Sequence, residues 1–161
     1  GRRLEAPQRI KLRLPHAQVA VDIEETQHLN LSGIPYNKGM DFENFINSYP
    51  EEVRTLFNQA RIVLLDRFKT LREEPDLPSR IIVYRIAPGN NGVVFTLIPS
   101  KFGVKLGLYR GRELPDPAGL LGGSGKVHTT TPLSEYLLTD PDFLNLLDAA
   151  MQNALHRVSQ R

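Results

Sequence analysis

The sequence predicts an α+β fold, in which an antiparallel sheet of about four to six strands carries N- and C-terminal helices on one face. Three observations lead to this prediction. Apolar residues recur at helical spacing over positions 51 to 73, and again over positions 140 to 158. The segments between them are β-branched and apolar, and short turns separate them, as in an antiparallel meander. Helices on one face would leave the other face of the sheet available.

The first long helix is predicted to run from Glu51 to Glu73. Pro50 suits the start of a helix, and the two glutamates that follow it are favourable beside the positive end of the helix dipole. A break is expected at Glu73 and Glu74, because proline follows. The apolar side chains at three- or four-residue steps form the predicted buried stripe: Val53, Phe57, Ala60, Leu64, Phe68 and Leu71.

Strands are predicted at 80–86, 92–98 and 103–109, with a further one at 126–130. The break at 88–92 reads Pro-Gly-Asn-Asn-Gly, and these residues favour turns. The last helix is predicted to begin with Asp140 as its N-cap and Pro141 at its first position. Its buried stripe is predicted to contain Phe143, Leu147, Met151, Ala154 and Val158.

Met40 divides the chain into an N-terminal extension, residues 1–39, and an α+β domain, residues 40–161. The extension is expected to be vector-derived, the remnant of an upstream segment or an added structural element. Alternation in 10–14 and in 19–23 predicts a hairpin within it, followed by a linker at 26–38 that contains Ser32, Gly33 and Pro35.

Charge is distributed unevenly between these two parts. Residues 1–39 contain six Lys/Arg and four Asp/Glu, whereas residues 40–161 contain fourteen of each. Because nucleic-acid binding needs a clustered basic excess, nucleic acid is an unlikely partner of the neutral domain. The chain has no cysteine and no apolar run of the roughly 20 residues that span a bilayer. We therefore expect a cytoplasmic protein without a membrane partner.

The most distinctive segment is 103–126, which reads GVKLGLYRGRELPDPAGLLGGSGK. An alternating strand ends at Tyr109, and Arg110 and Arg112 follow where the chain leaves the sheet. Pro115 and Pro117 then exclude a helix interior and a central strand, so a shaped, glycine-rich loop is predicted. Comparison with a phosphate-binding loop fails on spacing, because leucine and valine occupy the positions where that motif needs glycine and Ser/Thr.

Three short sequence motifs of this segment, at 104–111, 114–117 and 120–126, resemble motifs of the YdhG-like family of small bacterial domains of unknown function. That family is usually grouped with frataxin-like proposed iron chaperones. The resemblance covers roughly Met40 to the C-terminus. It implies the α+β arrangement described above, and it adds a weak iron-binding chaperone as an alternative function.

The candidate ligand-binding residues surround this loop and its flanking strands; they are Tyr109, Arg110, Arg112, Gly123, Gly125, Lys126 and His128. The cations are predicted to converge on an anion, with glycine N–H groups approaching the same ion. Alternatively, both arginines are solvated or pair with Glu113 and Asp116. Gly125 is predicted to have a positive φ, because it lies in a tight loop.

The sequence contains no recognisable catalytic or metal-binding set. Its four histidines are scattered, and the serines have no defined base. The predicted function is therefore a non-catalytic binding module for a small anionic ligand or a protein partner, without a cofactor. The alternatives are the weak iron chaperone and an enzyme of unknown reaction.

Overall fold

The computed structural model describes residues 28–29, 35–36, 38–123, 125 and 127–160. The chain divides into two compact units, one ending at Ser48 and the other beginning at Tyr49. The hairpin predicted at 10–23 lies outside the described residues. Within the described part, no helix combines the length and apolar character needed to cross a membrane.

The first unit contains two very short strands and one helix. Strand β1 (His28–Leu29) pairs antiparallel with β2 (Pro35–Tyr36), and both lie within the predicted linker. Helix α1 (Lys38–Asn47) crosses the division predicted at Met40. At its end, the Ser48 hydroxyl donates a 2.7 Å hydrogen bond to the carbonyl oxygen of Phe45.

The second unit begins with helix α2 (Glu51–Arg67), which buries Val53, Phe57, Ala60 and Leu64 as the stripe predicts. The predicted continuation to Glu73 is wrong. Phe68 is already extended, with φ −128° and ψ 93°, and strand β3 (Arg72–Asp76) follows. This strand has the sequence Arg-Glu-Glu-Pro-Asp, so neither β-propensity nor apolar alternation indicates it.

The strand β3 is held by a buried tertiary interaction. Arg61 donates two 2.6 Å hydrogen bonds to the carboxylate of Glu73, and the Tyr84 hydroxyl donates a third at 2.7 Å. The Arg61 and Glu73 side chains are only 9% and 5% exposed. Burial by itself lowers the pKa of Arg61, but the hydrogen bonds and charge of Glu73 outweigh it and raise this pKa. Long-range pairing therefore overrides the local preference of a charged segment.

Tyr84 gives this cluster a pH dependence that thermal or urea unfolding can measure. Burial, followed by the negative charge of Glu73, raises the pKa of Tyr84 well above its ordinary value. The unfolded chain therefore releases the tyrosine proton first, and stability falls as the pH rises above about 10, by at most about 1.4 kcal/mol per pH unit for one group. Tyr84→Phe should make this alkaline slope shallower, with Tyr136→Phe at an exposed tyrosine as the control. Equal slopes in the wild type and Tyr84→Phe would contradict the prediction.

Five antiparallel strands form the sheet of this unit, in the order β3-β4-β5-β6-β7. The bounds are Ile81–Arg85 for β4, Val93–Ser100 for β5, Gly103–Tyr109 for β6 and His128–Pro132 for β7. The strand predicted at 103–109 is confirmed, and the last strand lies two residues later than predicted. This arrangement of strands and flanking helices confirms the α+β class.

The last helix, α3 (Pro141–Ser159), begins where the sequence predicts. Asp140 occupies the N-cap, but its side chain makes no capping hydrogen bond; its carbonyl oxygen accepts one from Leu144 N at 3.0 Å. The predicted stripe is buried up to Ala154. Arg157, rather than Val158, is then the buried residue of the last turn.

Both long helices lie on the same face of the sheet. Phe68, just after α2, stacks on Phe95 of β5 with 5.8 Å between ring centroids. Arg67 of α2 donates two 2.8 Å hydrogen bonds to Asp148 of α3, which places the helices side by side. Because they share one face, neither helix covers the opposite one, which we call the open face.

Three cross-strand rows make up the open face, as strand alternation and register place them. The first row contains Asp76, Ile81, Ile98, Lys105 and Pro132. The central row contains Glu74, Val83, Thr96, Gly107 and Thr130. The third row contains Arg72, Arg85, Tyr109 and His128.

Candidate functional site

The predicted site begins at the exit of β6, where the chain makes a tight left-handed turn. Arg110 has φ 56° and ψ 36°, a conformation that favours glycine over arginine. Its backbone N–H donates to the carbonyl oxygen of Val127 at 2.5 Å, and its Nε donates to Glu113 at 2.7 Å. Arg110 therefore pairs with Glu113 within its own turn, which is the alternative to anion binding given above for this arginine.

Arg112 is turned toward the glycine-rich loop. Its Nε donates to the carbonyl oxygen of Gly125 at 2.8 Å, and its Nη2 donates to that of Gly123 at 3.0 Å. These two glycines thus direct carbonyl oxygens, rather than N–H groups, toward the guanidinium. In this arrangement Arg112 fastens the loop through two main-chain contacts, which the planar fork of a guanidinium suits.

The rest of the loop is fixed at two further places. The Asp116 carboxylate accepts hydrogen bonds from Leu120 N at 2.8 Å and Leu121 N at 2.9 Å, so it caps the loop instead of pairing with an arginine. Gly122 and Thr130 then exchange two backbone hydrogen bonds, of 2.8 and 3.1 Å. The loop consequently lies along the outer edge of β7.

Two glycines of the loop are required for different reasons. Gly123 has φ 92°, which a side chain would strain. The positive φ predicted for Gly125 is wrong, because Gly119 and Gly123 are the described loop glycines with a positive φ. A Cβ atom on Gly125 would instead lie 2.4 Å from the carbonyl oxygen of His128. Gly125 is therefore needed for a close backbone approach.

Replacing Arg112 tests whether its two hydrogen bonds hold the glycine-rich loop in place. We expect Arg112→Ala to speed amide hydrogen exchange at Gly122 and Thr130, because the loop loses two charge-assisted hydrogen bonds. Arg112→Lys should restore little of the protection, since an ammonium does not offer the same planar pair of donors. Arg110→Ala is the matched control. Unchanged exchange at Gly122 and Thr130 in Arg112→Ala would contradict the assignment.

Tyr109 and His128 lie opposite each other on β6 and β7, with their rings edge to face and 5.3 Å between centroids. Arg157 of α3 completes this group, its guanidinium carbon lying 4.9 Å from the Tyr109 ring centre. Arg157 also donates hydrogen bonds to the carbonyl oxygens of Val93 at 2.6 Å and Asn91 at 3.2 Å. Burial lowers the pKa of Arg157, and the nearby charge of Arg110 adds to that effect.

The structure thus brings Tyr109, Arg110, Arg112, Gly123, Gly125 and His128 to one end of β6 and β7. Lys126 lies outside the described residues. The sequence reasoning missed Arg157, although the spacing of three residues from Ala154 places it on the buried stripe of α3. A charged side chain on an apolar stripe gives no signal of burial by its residue type.

The described residues contain no group of three or more His, Cys, Asp or Glu side chains suited to a metal ion. An acidic cleft lies elsewhere, at the start of α2, where Glu51 and Glu52 lie near Glu135. Glu135 accepts a 2.8 Å hydrogen bond from Gln59, which lines the same cleft. Among the residues described at this cleft and at the Tyr109 end of the sheet, no hydrogen bond pairs a nucleophile with a base.

Comparison with protein-family models, with curated proteins and with solved structures finds no match to this chain. The resemblance to the YdhG-like family therefore stays a prediction.

Proposed function

We propose that this chain is a non-catalytic, cytoplasmic binding module that recognises a protein partner through the open face of its sheet. The proposal rests on one observation. The two arginines that the sequence predicts to bind an anion already bind groups of their own turn and loop. Arg110 pairs with Glu113, and Arg112 binds two loop carbonyls. The basic turn and the glycine-rich loop therefore hold each other in place through these contacts.

Both edges of the sheet are poorly suited to adding a strand, which favours docking on the face. Strand β3 contains Pro75, which has no N–H to donate, together with four charged residues. On β7, Gly122 already occupies the main-chain groups of Thr130. A partner would therefore meet side chains of the open face instead of unpaired backbone.

The central row of the open face suits close approach by a flat surface. Thr96 and Gly107 lie directly opposite each other, and neither has a large side chain. A Cβ atom on Gly107 would meet the Thr96 hydroxyl at 2.3 Å, so this part of the face has a low profile. Exposed polar side chains lie around it, at Arg72, Lys105 and His128. A low, mainly uncharged centre with a polar rim is typical of protein interfaces.

Site-specific photo-crosslinking can test the proposal in cells. A photoreactive residue at Lys105, which is exposed on the open face, should yield discrete cross-linked protein products. The matched control is Leu155, which is 47% exposed on α3. Products that are absent from both positions, or equally strong from both, would overturn the proposal.

The small anionic ligand is the competing occupant, and chemical-shift titration separates the two. In this arrangement phosphate, citrate and nucleotides would meet only the N–H groups of Arg112 that do not bind the loop carbonyls. Saturable shifts at 110–112 and 122–126 that weaken with salt and vanish in Arg110→Ala/Arg112→Ala would favour anion binding. Their absence at millimolar ligand would favour the protein partner. The iron-chaperone and enzyme alternatives have no observation in their favour among the described residues.

A further inference from the structure

We infer that the partner of the open face is a second copy of this chain, bound face to face with antiparallel strands. This inference rests on the proposed function. It starts from the unequal distribution of charge along β3. Arg72, Glu74 and Asp76 point to the open face because their positions differ by two. One end of this strand is therefore basic on the open face, and the other end is acidic.

These two end charges are available for a partner. Arg72 is exposed and makes no hydrogen bond or ion pair within the part of the chain that the structure describes. Asp76 accepts one long hydrogen bond, 3.4 Å from Ser79 N, at one of its two carboxylate oxygens. Glu74, which lies between them, is already neutralised by Arg85, whose Nε lies 2.9 Å from its carboxylate.

A two-fold axis along the central row makes these charges complementary. Rotation by half a turn about that axis places each strand over its own copy in the opposite direction. Arg72 of one copy then faces Asp76 of the other, and the same pair recurs by symmetry. The third row also faces the first row, so Lys105 of one copy meets the Tyr109 end of β6 of the other. Rotation about an axis parallel to the strands would instead place the third row of one copy over the third row of the other. The arginines of these two rows would then repel each other.

The size of the face also fits this arrangement. Five strands at about 4.8 Å and three rows at about 7 Å give a patch of roughly 24 by 20 Å. Two such faces bury roughly 1,000 Å² in total, which lies at the lower end for a specific interface. Facing sheets in proteins also pack with their strands nearly aligned. We therefore expect a weak, concentration-dependent dimer.

Charge reversal with two independent rescues tests this inference on the full chain. Sedimentation velocity over a concentration series should show a monomer–dimer equilibrium that weakens with salt. Arg72→Glu alone and Asp76→Arg alone should each raise the dimer Kd about tenfold, because each changes two symmetric pairs into like-charge contacts. A 1:1 mixture of the two single variants should associate again, because both pairs are then complementary across the heterodimer. The double variant R72E/D76R should also recover self-association.

Lys69→Glu is the matched control for Arg72→Glu, because both make the same change of net charge. The Lys69 side chain is 77% exposed and lies outside the sheet. Circular dichroism should confirm that the variants remain folded. A wild-type chain that stays monomeric throughout the concentration series would overturn the inference. So would self-association that neither reversal weakens, or that the mixture and the double variant fail to restore. If the purified chain is monomeric while Lys105 still yields cross-linked products in cells, this inference fails and the proposed function stands.

Discussion

Glu73→Gln is expected to destabilise the second unit by about 3 to 5 kcal/mol, measured by urea unfolding at neutral pH. The substitution preserves the shape of the side chain but removes its charge. Arg61 would then remain as a buried cation without its carboxylate, and the Tyr84 hydroxyl would lose its charged acceptor. Removing one member of a buried ion pair is costly because the remaining charge has lost its access to water.

Two comparisons separate this effect from a general sensitivity to charge. Asp148→Asn breaks the ion pair with Arg67, which is also bidentate, but the Asp148 side chain is 46% exposed. This substitution should therefore lower the free energy of unfolding by at most about 1 kcal/mol. Arg61→Met combined with Glu73→Leu removes both buried charges together, so it should cost less than Glu73→Gln alone. If Glu73→Gln and Asp148→Asn cost the same, the buried pair does not hold β3 in the way we describe.

The sequence predicted most reliably the elements that carry their own periodic pattern. Strand β6 alternates at every position, and α3 has a proline at its start and an apolar stripe along its length. Strand β3 has no such pattern, because its place in the sheet depends on an ion pair with Arg61 on another element. Spacing within a charged segment cannot indicate which distant side chain will neutralise it.

The candidate site shows the same limit. The sequence indicated a shaped loop after β6, and the structure brings Arg112 to that loop. It could not indicate whether the glycines would present N–H groups or carbonyl oxygens, because that depends on backbone torsions across the whole loop. The left-handed turn at Arg110 sets the direction of the chain after β6. Nothing in the residue type predicts this turn, since arginine rarely adopts it.

Gly111→Ala is expected to destabilise the second unit by about 3 kcal/mol, because this glycine packs directly against β7 in the turn that leads to Arg112. A Cβ atom at this position would lie 1.9 Å from the Thr129 hydroxyl oxygen and 3.1 Å from the Thr129 Cβ. Thr129 is only 3% exposed, so its side chain has little room to move away. Overpacking of this kind typically costs about 1 to 3 kcal/mol, and the buried sheet here leaves few ways to relax.

Thr129→Ala provides a rescue, because it removes the hydroxyl that the new methyl group would meet. That hydroxyl has no hydrogen-bond partner among the described residues, so losing it leaves no described partner unpaired. The double variant should therefore be more stable than Gly111→Ala alone, although the 3.1 Å approach to the Thr129 Cβ keeps the rescue partial. Gly103→Ala is the control, since a Cβ atom there meets nothing within 4 Å. A urea-unfolding experiment in which Gly111→Ala and Gly103→Ala lower the free energy of unfolding equally would contradict this prediction. In that case the turn does not depend on close packing against β7, and the loop alone positions Arg112.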